Sequence, residues 1–132
     1  MFKIKTKVDY GLMIMCELAK RPGQVVSLSP IAKKLKISSI YLIQISQLLA
    51  RAGLISSREG SQGGYVLERP ASKISLLEII EALEGGIKVR CAVASDKCCP
   101  NSEGCELRNI WTDVLGDLKS VLRDRSLASL VK

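Results

Sequence analysis

The sequence predicts a mainly α fold, and three observations carry that prediction. Of its 132 residues 47% are hydrophobic and 4% aromatic, so the core must be built from Leu, Ile, Val and Ala, which suits packed helices better than a β-sandwich. Apolar residues recur at three- and four-residue intervals through most of the chain, the period of a helix with one buried face. Capping residues precede these runs and glycines follow them, marking starts and stops. A chain of this length buries roughly two-thirds of its unfolded surface, enough for one core without disulfides.

Thr6 and Asp9 have capping-box spacing, after which Val8, Leu12, Met15, Cys16 and Ala19 form a stripe that ends at Arg21-Pro22-Gly23. Ser29-Pro30 opens a short second helix ending near Ile37. Ser38 caps a third, running to about Ala52, with Tyr41, Ile45, Leu48 and Leu49 inward and Gly53 as its stop. Two short helices joined by a tight turn, the second carrying small polar and amide side chains early, form the pattern of a helix-turn-helix. LISSR and YVLER then flank EGSQGG, whose Gly60, Gly63 and Gly64 suit a tight hairpin turn. A hairpin directly after a third helix is a wing.

Ser75 and Glu78 form a second capping box, starting a helix through Glu84 that Gly85-Gly86 stops. From Glu106 onward, Leu107, Trp111, Val114, Leu118 and Val121 make a heptad seam, broadened by Ile110, Leu115 and Leu122. A stripe that wide is not left to solvent. The expected fold is therefore a mainly α winged helix-turn-helix with a small β-hairpin wing and a long dimerisation helix. Residues 1–85 form the DNA-binding domain, 86–105 a cysteine-bearing loop, and 106–132 the dimerisation helix and tail.

Charge agrees with a polyanionic partner. Residues 1–58 hold ten Lys or Arg and two acids, so the net charge of +7 sits wholly in the first half. The absence of His removes the usual general base and the commonest nitrogen ligand. With no Cys-x-x-Cys pair and no nucleotide-binding motif besides, the chain reads as no enzyme. No stretch approaches ~18 uninterrupted apolar residues. The expected partners are a double-stranded DNA operator and a second copy of the chain, with no membrane, and the expected location is the cytoplasm.

Cys91, Cys98, Cys99 and Cys105 fall within fifteen residues. In a chain without a secretion signal, that density points to a metal or cluster site, or to a thiol switch. Cys16, on the stripe of the first helix, reads as a buried apolar residue.

The block YLIQISQLLARAGLISSREGSQGGYVLERP followed by ISLLEIIEALEGG, with the opening KTKVDYGL, the cysteines and the long final helix, resembles the Rrf2 family of bacterial winged-helix regulators, including its IscR and NsrR branches. The resemblance covers nearly the whole chain. It implies a homodimeric transcription regulator, a repressor, that senses redox state, nitric oxide or iron–sulfur status through a 4Fe-4S or 2Fe-2S cluster. Family members carry three cysteines about five residues apart plus a variable fourth ligand. Cys99 and Cys105 have five residues between them, but Cys91 and Cys99 have seven, so Cys98 competes as the middle ligand. The IscR branch completes its set with a His three residues after the last cysteine, where this chain has Arg108. The NsrR branch uses an Asp of the first helix reaching across the dimer, and Asp9 occupies that place. The expected ligands are Cys91, Cys99, Cys105 and Asp9, with Cys98 as the alternative to one of them.

By the same resemblance the early turns of the third helix read bases, which makes Ser38, Ser39, Tyr41 and Gln44 candidates. Tyr41 equally fits the core by its spacing to Ile45 and Leu48, and Asp9 equally fits its capping box. Lys33, Lys34, Lys36 and Arg58 are candidate phosphate contacts, and Gln62 at the hairpin tip a candidate minor-groove contact. Where IscR relatives place Ser and Glu on the third helix this chain has Ile40 and Ile43, so its operator should differ. A cluster-free winged-helix repressor, controlled by thiol oxidation, a metabolite or a partner enzyme, is the competing expectation.

Overall fold

A computed structural model of the chain describes residues 6–60, 63–85 and 106–131, with the side chains of Leu107 and Arg108 outside that description. In chain order it contains α1 (Thr6–Ala19), α2 (Leu28–Leu35), α3 (Ser39–Arg51), β1 (Ile55–Arg58), β2 (Gly64–Leu67), a 3-10 turn at Ala71–Lys73, α4 (Leu76–Glu84), α5 (Glu106–Asp124) and α6 (Leu127–Leu130). This is the expected mainly α architecture with one antiparallel hairpin.

The core lies where α1, α3 and α4 meet. Ile14, Met15, Leu18, Leu42, Ile45, Leu49, Ile74, Ile79 and Leu83 are among its buried members. Burying a side chain of this kind contributes about 1.5–3 kcal/mol each. Gly11 faces Leu83, and a Cβ there would meet the Leu83 methyls. That close approach seats α4 on α1. The buried stripe of α1 is Val8, Gly11, Ile14, Met15 and Leu18, while the expected Leu12, Cys16 and Ala19 are half-buried at its edge. Neighbours on several sides, including β2 and α6, move the centre of the stripe.

α2 starts earlier than its Ser-Pro signal implies. The residue flanking its start is Ser27, so Pro30 is the third helical residue. The first four helical N–H groups have no intrahelical acceptor, so a proline there forfeits no bond. α2 ends at Lys36, which takes the left-handed conformation at φ 57°. α4 begins with the expected capping box, the Glu78 N–H donating to Ser75 Oγ at 3.1 Å and the Ser75 N–H to Glu78 Oε2 at 3.0 Å. It ends at Gly85, φ 73°.

The segment after α5 returns to the start of α4. The Leu76 N–H donates to the Arg125 carbonyl at 2.9 Å, the Leu127 N–H to the Ile74 carbonyl at 2.8 Å, and Leu127 is fully buried. α5 is thereby held at its far end to the residues that start α4. No helix among the described residues is long and apolar enough to cross a membrane.

Candidate nucleic-acid interface

α3 is presented by the turn that follows α2. Ser38 caps it, its Oγ accepting from the Ile40 N–H at 3.1 Å and the Tyr41 N–H at 3.4 Å. With Leu42, Ile45, Ser46 and Leu49 buried, the opposite face is fixed by helical arithmetic. Ile40, Ile43, Gln44, Gln47 and Arg51 fall there, and all five are exposed. Ser38 and Ser39 are exposed at the entry of the helix. Tyr41 is half-buried and stands edge-on to Tyr10, ring centroids 6.0 Å apart at 85°. It packs against the core.

Lys33, Lys34 and Lys36 are all exposed at the end of α2, within six residues of the start of α3 in the chain, and Arg58 is exposed at the end of β1. Residues 28–58 contain five cations and no acid, so the helix-turn-helix and the first wing strand form a surface of one sign. Glu59 follows at the hairpin tip. Gln62 lies outside the described residues.

The hairpin is pinned to the domain. Ile55 pairs with Leu67 and Arg58 with Gly64 in register. On its other edge Tyr65 exchanges two 2.9 Å hydrogen bonds with Val26, the residue just before Ser27 at the start of α2. Gly64 is required here, since a Cβ would strike the Val26 carbonyl. Gly60 turns the tip with φ 119°, and the Gly63 N–H bonds to its carbonyl at 3.0 Å.

The exit of the hairpin is tied to α4. Arg69 Nη2 donates to Glu78 Oε1 at 2.9 Å, while the other oxygen of Glu78 serves the capping box. Partial burial pushes the Glu78 carboxyl up, but the Ser75 N–H and then Arg69 outweigh it and hold it below the ordinary range. One carboxylate therefore joins the wing exit to the start of the helix that leads into the cysteine segment.

Asp9 is exposed in the first turn of α1. It lines an open groove of about 940 Å³ between α1 and α2, together with Leu12, Met13, Cys16, Lys20 and Lys34. Burial pushes the Cys16 thiol up, only partly offset by Lys20, so it stays protonated. Cys91, Cys98, Cys99 and Cys105 lie outside the described residues. Among the described residues no three His, Cys, Asp or Glu side chains are grouped to hold a metal.

α5 divides the expected seam in two. Leu115 is buried, with Trp111 and Leu122 half-buried alongside, where the helix rests on α4. Ile110, Val114, Leu118 and Val121 form a second stripe, between 44% and 53% exposed.

Residues 4–132 match the Rrf2 family, described as iron-dependent transcriptional regulator. The chain belongs to the Rrf2 family. This Rrf2 chain is 39% identical over 129 residues to the HTH-type transcriptional regulator CymR of Bacillus subtilis, covering 97% of this chain and 88% of that protein. The solved structure of that CymR, described as the global cysteine regulator of B. subtilis, superposes with a TM-score of 0.75 at 36% identity, over 98% of this chain and 96% of that one. The oxidised form of Staphylococcus aureus CymR gives 0.78 at 36% identity, over 99% and 97%. T. potens IscR gives 0.77 at 33% identity, over 98% and 85%. These relatives are transcriptional regulators, and the chain is one of that family.

Reading the interface from sequence missed Gln47 and Arg51, which stepping three and seven residues on from Gln44 would have found. It also missed the Val26–Tyr65 pairing and the Arg69–Glu78 bond, neither of which has a local signal.

Proposed function

We propose that this chain is a homodimeric transcription repressor. In this reading α3 enters the major groove of an operator duplex, the hairpin grips the flanking backbone, and residues 106–132 pair two copies. The observation that carries it is the outward face of α3, with two amides and an arginine set between the cations of α2 and β1 and no acid from 28 to 58. Gln44 and Gln47 have the donor and acceptor pair that matches adenine, while Lys33, Lys34, Lys36 and Arg58 hold phosphates. A single winged-helix module reads few bases, and two copies address half-sites about one helical turn apart. The open α5 stripe supports the second copy.

The finer reading is that DNA affinity follows the state of a 4Fe-4S or 2Fe-2S cluster held by Cys91, Cys99 and Cys105 and by the partner subunit's Asp9, with Cys98 as the competing thiolate. The donor chemistry fits: clustered thiolates suit iron–sulfur centres, and an exposed carboxylate is a harder, more exchangeable ligand. When bound, such a centre supplies redox chemistry and sensitivity to oxygen or nitric oxide. The chain's own part is mechanical. α4 precedes the cysteine segment and is bonded through Glu78 to the wing exit at Arg69, so a shift of its C-terminal end is felt at the hairpin. Carrying the protein from nearly unbound to nearly bound takes about 5.5 kcal/mol of differential binding.

A cluster-free reading, in which the thiols act by oxidation or the chain answers a metabolite or partner enzyme, is favoured by the similarity to CymR, described as a cysteine regulator. Isolation without air separates the two. The cluster reading expects stoichiometric iron and labile sulfide, with operator affinity that changes when they are removed. Protein lacking both, yet binding its operator and responding to thiol oxidation, supports the cluster-free reading.

A further inference from the structure

The outward face of α3 contains something its fold does not need. Ile40 is 70% exposed, the most exposed large apolar side chain among the described residues, and Ile43 is 40% exposed. With Gln44 and Gln47 they occupy positions i, i+3, i+4 and i+7, a single surface of the helix. The buried side of α3 is already complete with Leu42, Ile45 and Leu49. Neither isoleucine serves the core.

The surroundings select the occupant. Lys33, Lys34, Lys36, Arg51 and Arg58 accompany this face, and no acid lies between 28 and 58. A second copy docking here would set cations against cations, whereas a duplex presents phosphates on both sides of a groove. The apolar feature displayed on the floor of that groove is the C5-methyl of thymine.

We infer that Ile40 and Ile43 are specificity-determining residues that pack against thymine methyl groups, so that each preferred half-site places thymines beneath the first two turns of α3, next to adenines read by Gln44 or Gln47. This rests on the DNA-binding reading above and adds base identity to it. Each isoleucine tip that covers a methyl removes both from water without a polar group left unpaired. Cytosine at the same place presents an amino donor that isoleucine cannot satisfy, so exchange of the base pair is penalised twice.

The test uses the full-length protein. Preferred duplexes are selected from a random pool, and each thymine in the selected site is replaced in turn by deoxyuridine, which removes the methyl and keeps the pairing. At one or two thymines per half-site the wild type should lose affinity about four-fold, the effect of one buried methyl. Ile40→Ala and Ile43→Ala should each become indifferent to one of those replacements. Both side chains are exposed, and an unchanged melting temperature verifies that the fold is kept. Selected sites without thymine, or a wild type indifferent to deoxyuridine throughout while still preferring its selected duplex over random DNA, overturn the inference and leave the DNA-binding reading standing. Failure to bind any duplex in a salt-dependent way removes both.

Discussion

α3 and α5 both leave apolar side chains in water, and they do so in different company. On α3, Ile40 and Ile43 share their exposed face with Gln44 and Gln47, in a stretch, residues 28–58, that has five cations and no acid. On α5, Ile110, Val114, Leu118 and Val121 form an unbroken stripe one residue out of step with the half that rests on α4. An apolar side chain among amides and cations suits a polyanion with methyl groups in its groove. A continuous apolar stripe suits another helix of the same kind. Neither patch is explained by the stability of one folded chain. The same excess of exposed hydrophobic surface thus points to two different partners, distinguished by what surrounds it.

Leu118→Asp should have the largest effect. A carboxylate placed in an apolar pairing surface costs about 3 kcal/mol or more when the surface closes, so light scattering should show monomer and operator affinity should collapse. The melting temperature extrapolated to monomer should hold, because the site is open in one chain. A variant that remains dimeric would mean that the α5 stripe pairs with nothing. Gly64→Ala comes next: its Cβ displaces Val26 from Tyr65, with a stability loss of about 2 kcal/mol in thermal unfolding. DNA binding should weaken alongside, while the oligomeric state stays.

Lys36→Gly bears on the approach to α3. Relief of the left-handed lysine should raise stability by about 1 kcal/mol. The lost cation should weaken binding to all duplexes alike and reduce the salt slope by about one. Stability and affinity then move in opposite directions. The smallest effects concern the wing-to-α4 joint. Ser75→Ala should cost about 1 kcal/mol, the usual worth of a cap. Because the folded Glu78 carboxyl titrates below its ordinary value, its stabilisation is full above the unfolded carboxylate pKa of about 4.3 and is lost as pH falls through the lower folded value. Urea melts across that window should show a shallower acid loss for Arg69→Met than for wild type, whereas Ser75→Ala, which keeps the backbone N–H on Glu78, should stay close to the wild-type slope.

Much of the fold was legible because its signals are local. Ser38 and the Ser75–Glu78 box were readable as starts, Gly53 and Gly85 as stops, and the hairpin from its glycines. The misread features are set by contacts distant in sequence. α1 has apolar residues on more than one side, so which of them are buried depends on α3, α4, α6 and β2 arriving around it. Leu127 reads as tail, yet it fills the core because Arg125 and Leu127 bond back to residues 74–76. At the candidate interface, residue types on α3 were visible, but the separation of Tyr41 toward Tyr10 from Ile40 toward solvent required the packed helix. The cysteines were conspicuous by spacing alone. Whether and in what order they act together is a matter of three-dimensional arrangement, for which chain spacing is a poor guide.

In the proposed complex paired α3 helices grip one duplex. Hydroxyl-radical and methylation footprinting of the intact protein on a selected operator tests it most directly. The account predicts two symmetric protected patches with major-groove contacts about 10 base pairs apart, both lost together in Leu118→Asp. A single unpaired patch, or protection that survives in the monomer unchanged, would contradict it.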